Sequence, residues 1–209
     1  MGERRLRILL VGASGTLGRA VQTELGQRHE VIAAGRNSGS IRMDLTDVGS
    51  IRDGLKQAGE LDAVISTMGK VAFAPLSDFS AAPYGESLHT LGINDKLLGQ
   101  VNLALAARDC LRDGGSITLT TGILSEQPIV EGTSATLVNG AVEGFVRAAA
   151  IELPRGLRIN VVSPNVLTEA MHAYAPFFRG FEPVSAARAA LAFSRSVEGA
   201  QTGQIYRVF

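Results

Sequence analysis

The chain has 209 residues, 45% of them hydrophobic, and its 20 basic and 20 acidic side chains give a net charge of zero. This length suits one domain with a full hydrophobic core, and the balanced charge argues against a nucleic-acid partner or an anionic membrane surface. The one cysteine, Cys110, excludes a disulfide framework and a cysteine-based zinc site, and its apolar neighbours predict a buried helix position.

The N-terminal apolar run covers only residues 8–11, which is too short for a secretory signal peptide. No stretch approaches the roughly 18 apolar residues that a membrane span needs. We therefore expect a soluble, cytoplasmic protein in a reducing compartment.

Apolar segments of strand length alternate with longer segments of helical spacing. The predicted strands are residues 6–11, 31–34, 40–43, 62–67, 116–121, 158–163 and 204–209. The predicted helices are residues 15–26, 46–57, 88–111, 133–153 and 186–195, and Asp113-Gly114-Gly115 is expected to end the third of them. The alternation predicts an α/β fold, a doubly wound parallel sheet of the Rossmann type with helices on both faces, spanning residues 1–209 as a single domain.

Three glycines lie at the junction between the first strand and the first helix. The first permits a tight turn, the second lets the backbone approach a pyrophosphate, and the third lets the helix pack closely on the strand. The helix N-terminus offers free N–H groups to the phosphates. This context predicts a dinucleotide site rather than a plain tight turn. The predicted binding residues of the loop are Gly12, Ser14, Gly15, Thr16, Leu17 and Gly18.

Arg36 and Asn37 follow the second predicted strand, where NAD sites commonly carry an acidic residue. An arginine at this place suits a 2′-phosphate through charge-assisted hydrogen bonds. The pattern therefore favours NADP(H) over NAD(H) as the cofactor. The alternative is that Arg36 is a solvated surface charge.

Asp44 ends the third predicted strand beside Leu45, and two interpretations of its carboxylate are open. It could accept a hydrogen bond from the adenine amino group, or it could cap the next helix, with Thr46 and Asp47 as rival caps. Small residues at the end of the fourth strand would let the cofactor lie against the sheet edge. The residues expected there, over the middle of the dinucleotide, are Ser66, Thr67, Met68 and Gly69.

Beyond the glycine loop, four further segments have a familiar pattern: DLTD at 44–47, GAVEGF with AIEL at 140–145 and 150–153, RINVVSPNVLT at 158–168 and GQIY at 203–206. With these segments the chain resembles the short-chain dehydrogenase/reductase family over essentially its whole length. The resemblance implies that Pro164, Val166 and Thr168 lie in the segment that covers the nicotinamide.

The catalytic positions of that family are altered in this sequence. The resemblance puts Ala135 at the position of the catalytic tyrosine and Asn139 at that of the lysine four residues later. The family's serine falls on Thr121, which retains a hydroxyl. Its helix asparagine falls on Lys96, or on Asn94 if the register differs by two. We therefore expect an atypical member that lacks the usual tyrosine and lysine pair.

Three residues are the candidates for catalysis. Lys96 could donate a proton because a lysine desolvated beside a cofactor lowers its pKa toward neutrality; the alternative is a surface charge on a long helix. Thr121 could bind the substrate or merely end its strand. Asn139 could hold the nicotinamide ribose or hydrogen-bond the helix backbone.

Residues 168–183 are rich in aromatic side chains and lie where the resembled family usually carries a substrate lid. His172 or Tyr174 in this segment could replace the missing acid. The other interpretation is an aromatic cluster under a loop. No His, Asp and Glu cluster has metal-ligand spacing, so no metal is expected.

The predicted function is an NADP(H)-dependent oxidoreductase of the carbonyl reductase or alcohol dehydrogenase type, acting on a small molecule. Two alternatives are open: a non-redox relative that binds NADP(H) as a sensor or structural protein, and a dehydratase or isomerase on the same scaffold. The alanine-rich helical segments 97–111 and 142–153 could pair between subunits, as is common in the resembled family. We expect a homodimer or homotetramer.

Overall fold

The computed structural model describes residues 4–209, and within that range seven strands form one parallel sheet in the order β3-β2-β1-β4-β5-β6-β7. The strands are β1 (Arg7–Val11), β2 (Glu30–Gly35), β3 (Ile41–Arg42), β4 (Leu61–Ser66), β5 (Leu111–Thr120), β6 (Arg158–Pro164) and β7 (Ile205–Val208). The strand order reverses between β1 and β4. The prediction of a doubly wound α/β fold is confirmed.

Helices cover both faces of the sheet. They are α1 (Thr16–Gly26), α2 (Val48–Ala58), α3 (His89–Gly92), α4 (Gly99–Arg108), α5 (Thr133–Glu152), α6 (Met171–Tyr174) and α7 (Ala186–Glu198). Helices α1 and α7 pack together on one face, and α2, α4 and α5 lie on the other. Short 3₁₀ turns at Leu76–Asp78, Ile123–Ser125 and Thr168–Ala170 lie in the connections.

The central strand β1 shows why the sequence pattern is continuous rather than alternating. Leu9 and Val11 pack into the cluster under α2, α4 and α5, whereas Ile8 and Leu10 pack into the cluster under α1 and α7. All four side chains are fully buried. A strand that is covered on both faces needs apolar residues at every position.

The predicted helix over residues 88–111 is wrong in two respects. The helical stretch contains a π-helical segment, Ile93–Leu98, between α3 and α4, and α4 ends at Arg108. Residues 113–115 belong to β5, where the pairing with β4 shifts register between Leu61 and Ala63. A Cβ on Gly115 would lie 3.0 Å from the Asp62 carbonyl oxygen, so these glycines allow the strand to bulge past its neighbour.

Cys110 therefore lies just beyond α4 and not inside a helix. It is half-buried, and its thiol contacts the carbonyl oxygen of Ala107 at 3.5 Å. Burial raises the pKa of this thiol. The side chain is accordingly a weak nucleophile.

A search of the helices within residues 4–209 finds none that is long and apolar enough to cross a membrane. In the same range, no three His, Cys, Asp or Glu side chains are grouped so as to hold a metal ion.

Candidate functional site

The carboxyl ends of β1, β4, β5 and β6 meet at one edge of the sheet, where strand order reverses. In open parallel sheets this edge is where ligands bind. Most of the predicted site residues lie on the segments that leave these strands.

The glycine loop is shaped by close backbone contacts. Gly12 has a φ of +91°, and a Cβ there would lie 2.7 Å from the hydroxyl oxygen of Thr67. A Cβ on Gly18 would lie 2.0 Å from the carbonyl oxygen of Gly12. Thr67 donates its hydroxyl to the carbonyl oxygens of Val11 and Gly12, which ties the end of β4 to the loop. The fold thus requires glycine at positions 12 and 18.

Gly15 differs from the other two glycines because no packing contact requires it. Its φ is −72°, and the nearest atom to an added Cβ would be the Gly12 carbonyl oxygen at 3.4 Å. Gly15 precedes α1, whose first turn has no side-chain cap and no acidic residue. The uncapped N–H groups of this first turn and the exposed Gly15 backbone suit a phosphate.

The remaining loop residues divide by burial. Ser14 is exposed, and its hydroxyl accepts a hydrogen bond from Ser38 at 2.8 Å. Thr16 is half-buried at the start of α1, while the Leu17 side chain is buried in the core under α1 and α7. Leu17 can therefore meet a ligand only through its backbone. Ser38, which the sequence analysis did not single out, belongs to this surface.

Arg36 lies beside two carboxylates. Its guanidinium donates to Asp44, with nitrogen–oxygen distances of 3.0 and 3.2 Å, and lies 3.7 Å from Asp95. It is not a free surface charge. The neighbouring Asn37 is exposed.

The two interpretations of Asp44 are separated by its contacts. Asp47 caps α2 by accepting from the Gly49 N–H at 2.8 Å, whereas Asp44 accepts from the backbone and hydroxyl of Thr46. Partial burial favours a higher pKa for Asp44, but the Thr46 hydrogen bonds and the Arg36 charge together hold that pKa below its ordinary value. Asp44 is thus an ionised acceptor at the sheet edge. The adjacent Leu45 is buried and packs against Gly99.

At the end of β4, Ser66 is fully buried, and its carbonyl oxygen accepts a hydrogen bond from Thr120 at 2.6 Å. Met68 is half-buried against the glycine loop. Gly69 has a φ of +140°, and a Cβ there would lie 2.3 Å from the side chain of Lys96. Glycine at position 69 leaves room for the Lys96 stem.

A cavity of about 240 Å³ lies next to this strand end. Ala135, Pro164 and Val166 contribute apolar lining, and Lys96 is the one charged side chain that lines it in the described part of the chain. Thr168 lies outside the cavity, at the start of a 3₁₀ turn. The other polar side chains of the lining are Thr121, Asn139, Asn165 and Tyr174.

Lys96 enters the cavity from the π-helical segment. Such segments add a residue to one helical turn and recur at functional sites. The ammonium lies 3.5 Å from the Thr121 carbonyl oxygen. Burial lowers the pKa of Lys96 to about 8, against the opposing charge of Glu143. Asn94, the alternative register, is exposed and lines a different groove.

Asn139 lies on α5 beside the same cavity. Its amide nitrogen donates to the Gly122 carbonyl oxygen at 3.3 Å, while its amide oxygen is buried with no hydrogen-bond partner among the described residues. A buried acceptor without a donor is costly, and a ligand hydroxyl would satisfy it. Ala135, one turn earlier, is buried and offers the cavity only a methyl group.

Thr121 does not direct its hydroxyl proton into open space. The hydroxyl donates to the buried carboxylate of Glu143 at 3.1 Å, and the Ser125 hydroxyl donates to the same oxygen at 2.7 Å. Glu143 and Ser125 were missed by the sequence analysis. The only signal for Glu143 was its spacing, because it lies one helical turn after Asn139.

The two alternative acids are in different places. Tyr174 lines the cavity, with its ring centroid 5.5 Å from that of Phe73, so aromatic side chains cover one side of the cavity. His172 lines a separate groove between α1 and α7, and its ring contacts the Glu169 carbonyl oxygen. The structure therefore brings Tyr174, but not His172, to the cavity that holds Lys96.

Comparisons with known proteins support the fold and the family of this chain. The family model described as enoyl-(acyl carrier protein) reductase matches residues 16–206. The protein lin1944 from Listeria innocua has a solved structure that is 50% identical, with a TM-score of 0.93, covering 98% of this chain and 100% of that one. A small-chain dehydrogenase solved in complex with NADPH is 22% identical, with a TM-score of 0.84, covering 98% of this chain and 97% of that one, which is a likeness of fold.

The hydroxynaphthalene reductase of Aspergillus fumigatus is 28% identical over 137 residues, which are 63% of this chain and 48% of that protein. The match therefore spans about half the length of this curated relative.

Proposed function

The chain belongs to the short-chain dehydrogenase/reductase family of oxidoreductases, whose members use nicotinamide cofactors, and from that premise we propose that it is an NADP(H)-dependent reductase of small, uncharged carbonyl compounds. In this proposal Lys96 takes the place of the family's tyrosine as proton donor. The observation that carries the proposal is the Lys96 ammonium, which within residues 4–209 is the one charged side chain lining a cavity at the carboxyl edge of the sheet.

The residues present fit a dinucleotide. Gly15 and the uncapped first turn of α1 suit the pyrophosphate, and the unpartnered amide oxygen of Asn139 suits a ribose hydroxyl. NADPH, when bound, supplies the hydride for the carbonyl carbon. Asp44, ionised at the same edge, is available to the adenine amino group.

Arg36 supports the choice of NADP(H). A guanidinium has five N–H donors, and Asp44 engages two of its nitrogens, so one terminal nitrogen is available to a 2′-phosphate. The Ser14 hydroxyl accepts from Ser38 and keeps its own proton as a further donor for such a phosphate. An acidic residue directly after β2, which would favour the ribose 2′-hydroxyl of NAD(H), is absent from residues 36–40.

The cavity lining supports an uncharged substrate. Phe73, Tyr174 and Phe178 give it an apolar side, and its lining from residues 4–209 includes no carboxylate. A carbonyl oxygen pointing at Lys96 would meet the one strong donor there. We infer that residues 168–183 act as a lid over this cavity, since Tyr174 and Phe178 reach it from that segment.

The proton chemistry follows from the position of Lys96. A pKa of about 8 leaves the amine mostly protonated at neutral pH and makes it a better acid than an exposed lysine. Reduction transfers a hydride to the carbonyl carbon and the Lys96 proton to the carbonyl oxygen, which yields an alcohol. Lys96 then regains a proton from solvent.

We also infer a homodimer or homotetramer formed through α4 and α5. Leu105 exposes 44% of its surface in a groove lined by these two helices. Ile151, on α5, exposes 87%. Light scattering should give twice or four times the monomer mass; a sharp monomer mass would contradict this inference.

The cofactor proposal is tested by titrating the protein with NADPH and NADH and following nicotinamide fluorescence. The chain has no tryptophan, so protein background is low. Arg36→Ala should weaken NADPH binding about 10- to 100-fold and leave NADH nearly unchanged. Arg42→Ala, an exposed arginine on β3, is the matched control and should change neither.

The activity proposal is tested by NADPH oxidation with neutral aliphatic and aromatic aldehydes and ketones. Turnover of about 1 s⁻¹ or more for one of them would support an enzyme. Tight NADPH binding without oxidation by any of them would favour a binding role for the chain instead. Failure to bind either nucleotide would contradict the proposal altogether.

A further inference from the structure

Glu143 is a buried acid that the proposed reaction does not use directly. Its side chain lies on α5 and the residue is only 3% exposed. A carboxylate in such a place must be compensated by hydrogen bonds or by an opposite charge. Its surroundings therefore indicate what it does.

The two carboxylate oxygens of Glu143 have different partners. One accepts from the hydroxyls of Thr121 and Ser125, both just beyond β5. The other lies 3.7 Å from the guanidinium of Arg147, which is largely exposed and therefore screened by water. The hydrogen bonds fix the carboxylate in position, and its charge is left only partly neutralised.

The remaining compensation comes from Lys96. Thr121 joins the two groups, because its carbonyl oxygen faces the Lys96 ammonium and its hydroxyl donates to Glu143. The opposing charge of Glu143 acts to raise the pKa of Lys96 against the effect of burial. The two groups are thus coupled electrostatically across one residue.

Other charges around Lys96 have their own partners. On its own helical segment, Asp95 accepts from the Lys70 backbone N–H at 2.6 Å and faces Arg36. Lys70, on the loop after β4, has an exposed side chain. Thr121, directly after β5, is an uncharged residue. Among these groups Glu143 is the carboxylate whose charge is directed at Lys96.

We propose that Glu143 is a positioning residue that keeps the Lys96 ammonium charged inside the apolar cavity and holds Thr121 beside it. This inference rests on the proposed function, in which Lys96 must carry a proton when the carbonyl compound binds. Without Glu143, burial would drive Lys96 toward its neutral form, which has no proton to give.

The test is a pH titration of the lysine side-chain amines by NMR in the full chain labelled with ¹⁵N-lysine. The sequence has three lysines, Lys56, Lys70 and Lys96, so a Lys96→Met sample assigns the signal. Glu143→Gln keeps an acceptor oxygen for Thr121 and Ser125 but removes the charge. We expect the Lys96 midpoint to fall by about one pH unit.

Two controls make the result specific. Glu152→Gln, an exposed glutamate on the same helix, should leave the Lys96 midpoint in place. Arg147→Met removes a positive charge beside Glu143 and should move the midpoint slightly upward. An unchanged midpoint in folded Glu143→Gln, or an equal shift in Glu152→Gln, overturns the proposal. If Glu143→Gln does not fold, the titration of Arg147→Met decides. A Lys96 midpoint that falls or stays unchanged in Arg147→Met contradicts the proposal.

The titration needs neither cofactor nor substrate, so it separates this inference from the proposed function. A protein that shows the shift but oxidises no NADPH has the Glu143–Lys96 coupling without the reductase activity. In an active enzyme, the same substitution should move the alkaline limb of the kcat/KM profile by the same amount. A merely structural role would lower stability without moving that limb.

Discussion

The glycine loop between β1 and α1 is built from backbone contacts, whereas the cavity beyond β5 depends on side chains from several separate segments. In the loop, a Cβ on Gly18 would lie 2.0 Å from a carbonyl oxygen, so the sequence is constrained by the shape of the main chain. In the cavity, Lys96, Thr121 and Glu143 come from different parts of the chain and constrain one another.

This difference explains why the glycine loop follows the family pattern and the cavity departs from it. A loop that presents N–H groups tolerates no side chain at its closest contacts. A proton donor can be provided by any side chain that reaches the same space. In this chain Ala135 provides no phenol, and Lys96 brings an ammonium to the same cavity from a different segment.

The largest expected effect is on the glycine loop. Gly18→Ala should lower the free energy of unfolding by about 3 kcal/mol or more and abolish nucleotide binding, because a backbone oxygen cannot move aside cheaply. Gly26→Ala, at the other end of α1 with open space around it, should be neutral or slightly stabilising. Thermal melts and NADPH titrations of both variants check this; equal behaviour would refute the contrast.

A smaller effect, on the pH dependence of the reaction, is expected from the cavity that holds Lys96. The proposed reduction needs protonated Lys96, so kcat/KM should be level below pH 8 and fall about tenfold per unit above it. Alcohol oxidation needs the neutral amine and should rise over the same range. A reduction profile that stays flat to about pH 10 would remove Lys96 as the donor.

The smallest effect is expected from substitutions of two asparagines that line the same cavity. Asn139→Leu removes an amide oxygen that has no partner among residues 4–209 and a long hydrogen bond, 3.3 Å, to the Gly122 carbonyl oxygen. It should therefore lower the free energy of unfolding by less than about 1 kcal/mol and weaken NADPH binding several-fold.

Asn165 is the matched contrast, because it donates to the Glu182 carbonyl oxygen and accepts from the Val166 N–H. Asn165→Leu should lower the free energy of unfolding by about 1–3 kcal/mol. Denaturant melts of both variants distinguish the two roles; equal losses would mean that Asn139 is only structural.

The fold could be predicted because its signals are local. The apolar run of β1, the glycine triad and the β–α alternation each depend on residues close in sequence, and the parallel sheet follows from them. The prediction failed where a local pattern has two outcomes. Gly114 and Gly115 resemble a helix stop, yet they form a bulge in β5 because β4 packs against them.

The residues around the proposed proton donor could be predicted only in part. Lys96, Thr121 and Asn139 were found from their family positions, and the structure brings all three to one cavity. The π-helical segment that carries Lys96 has no signature in a pattern of 3.6-residue period. Glu143 and Ser125 meet only after α5 docks on β5, so no spacing in the sequence connects them with Lys96.

The most direct test of the account measures NADPH affinity and carbonyl reduction together in Lys96→Met, with Lys56→Met, an exposed lysine on α2, as the control. Lys96→Met should bind NADPH within about threefold of the native chain. Its kcat should fall about 10²- to 10⁴-fold, while the kcat of Lys56→Met should be unchanged. Equal turnover in Lys96→Met and the native chain would contradict a reductase that uses Lys96 as its acid.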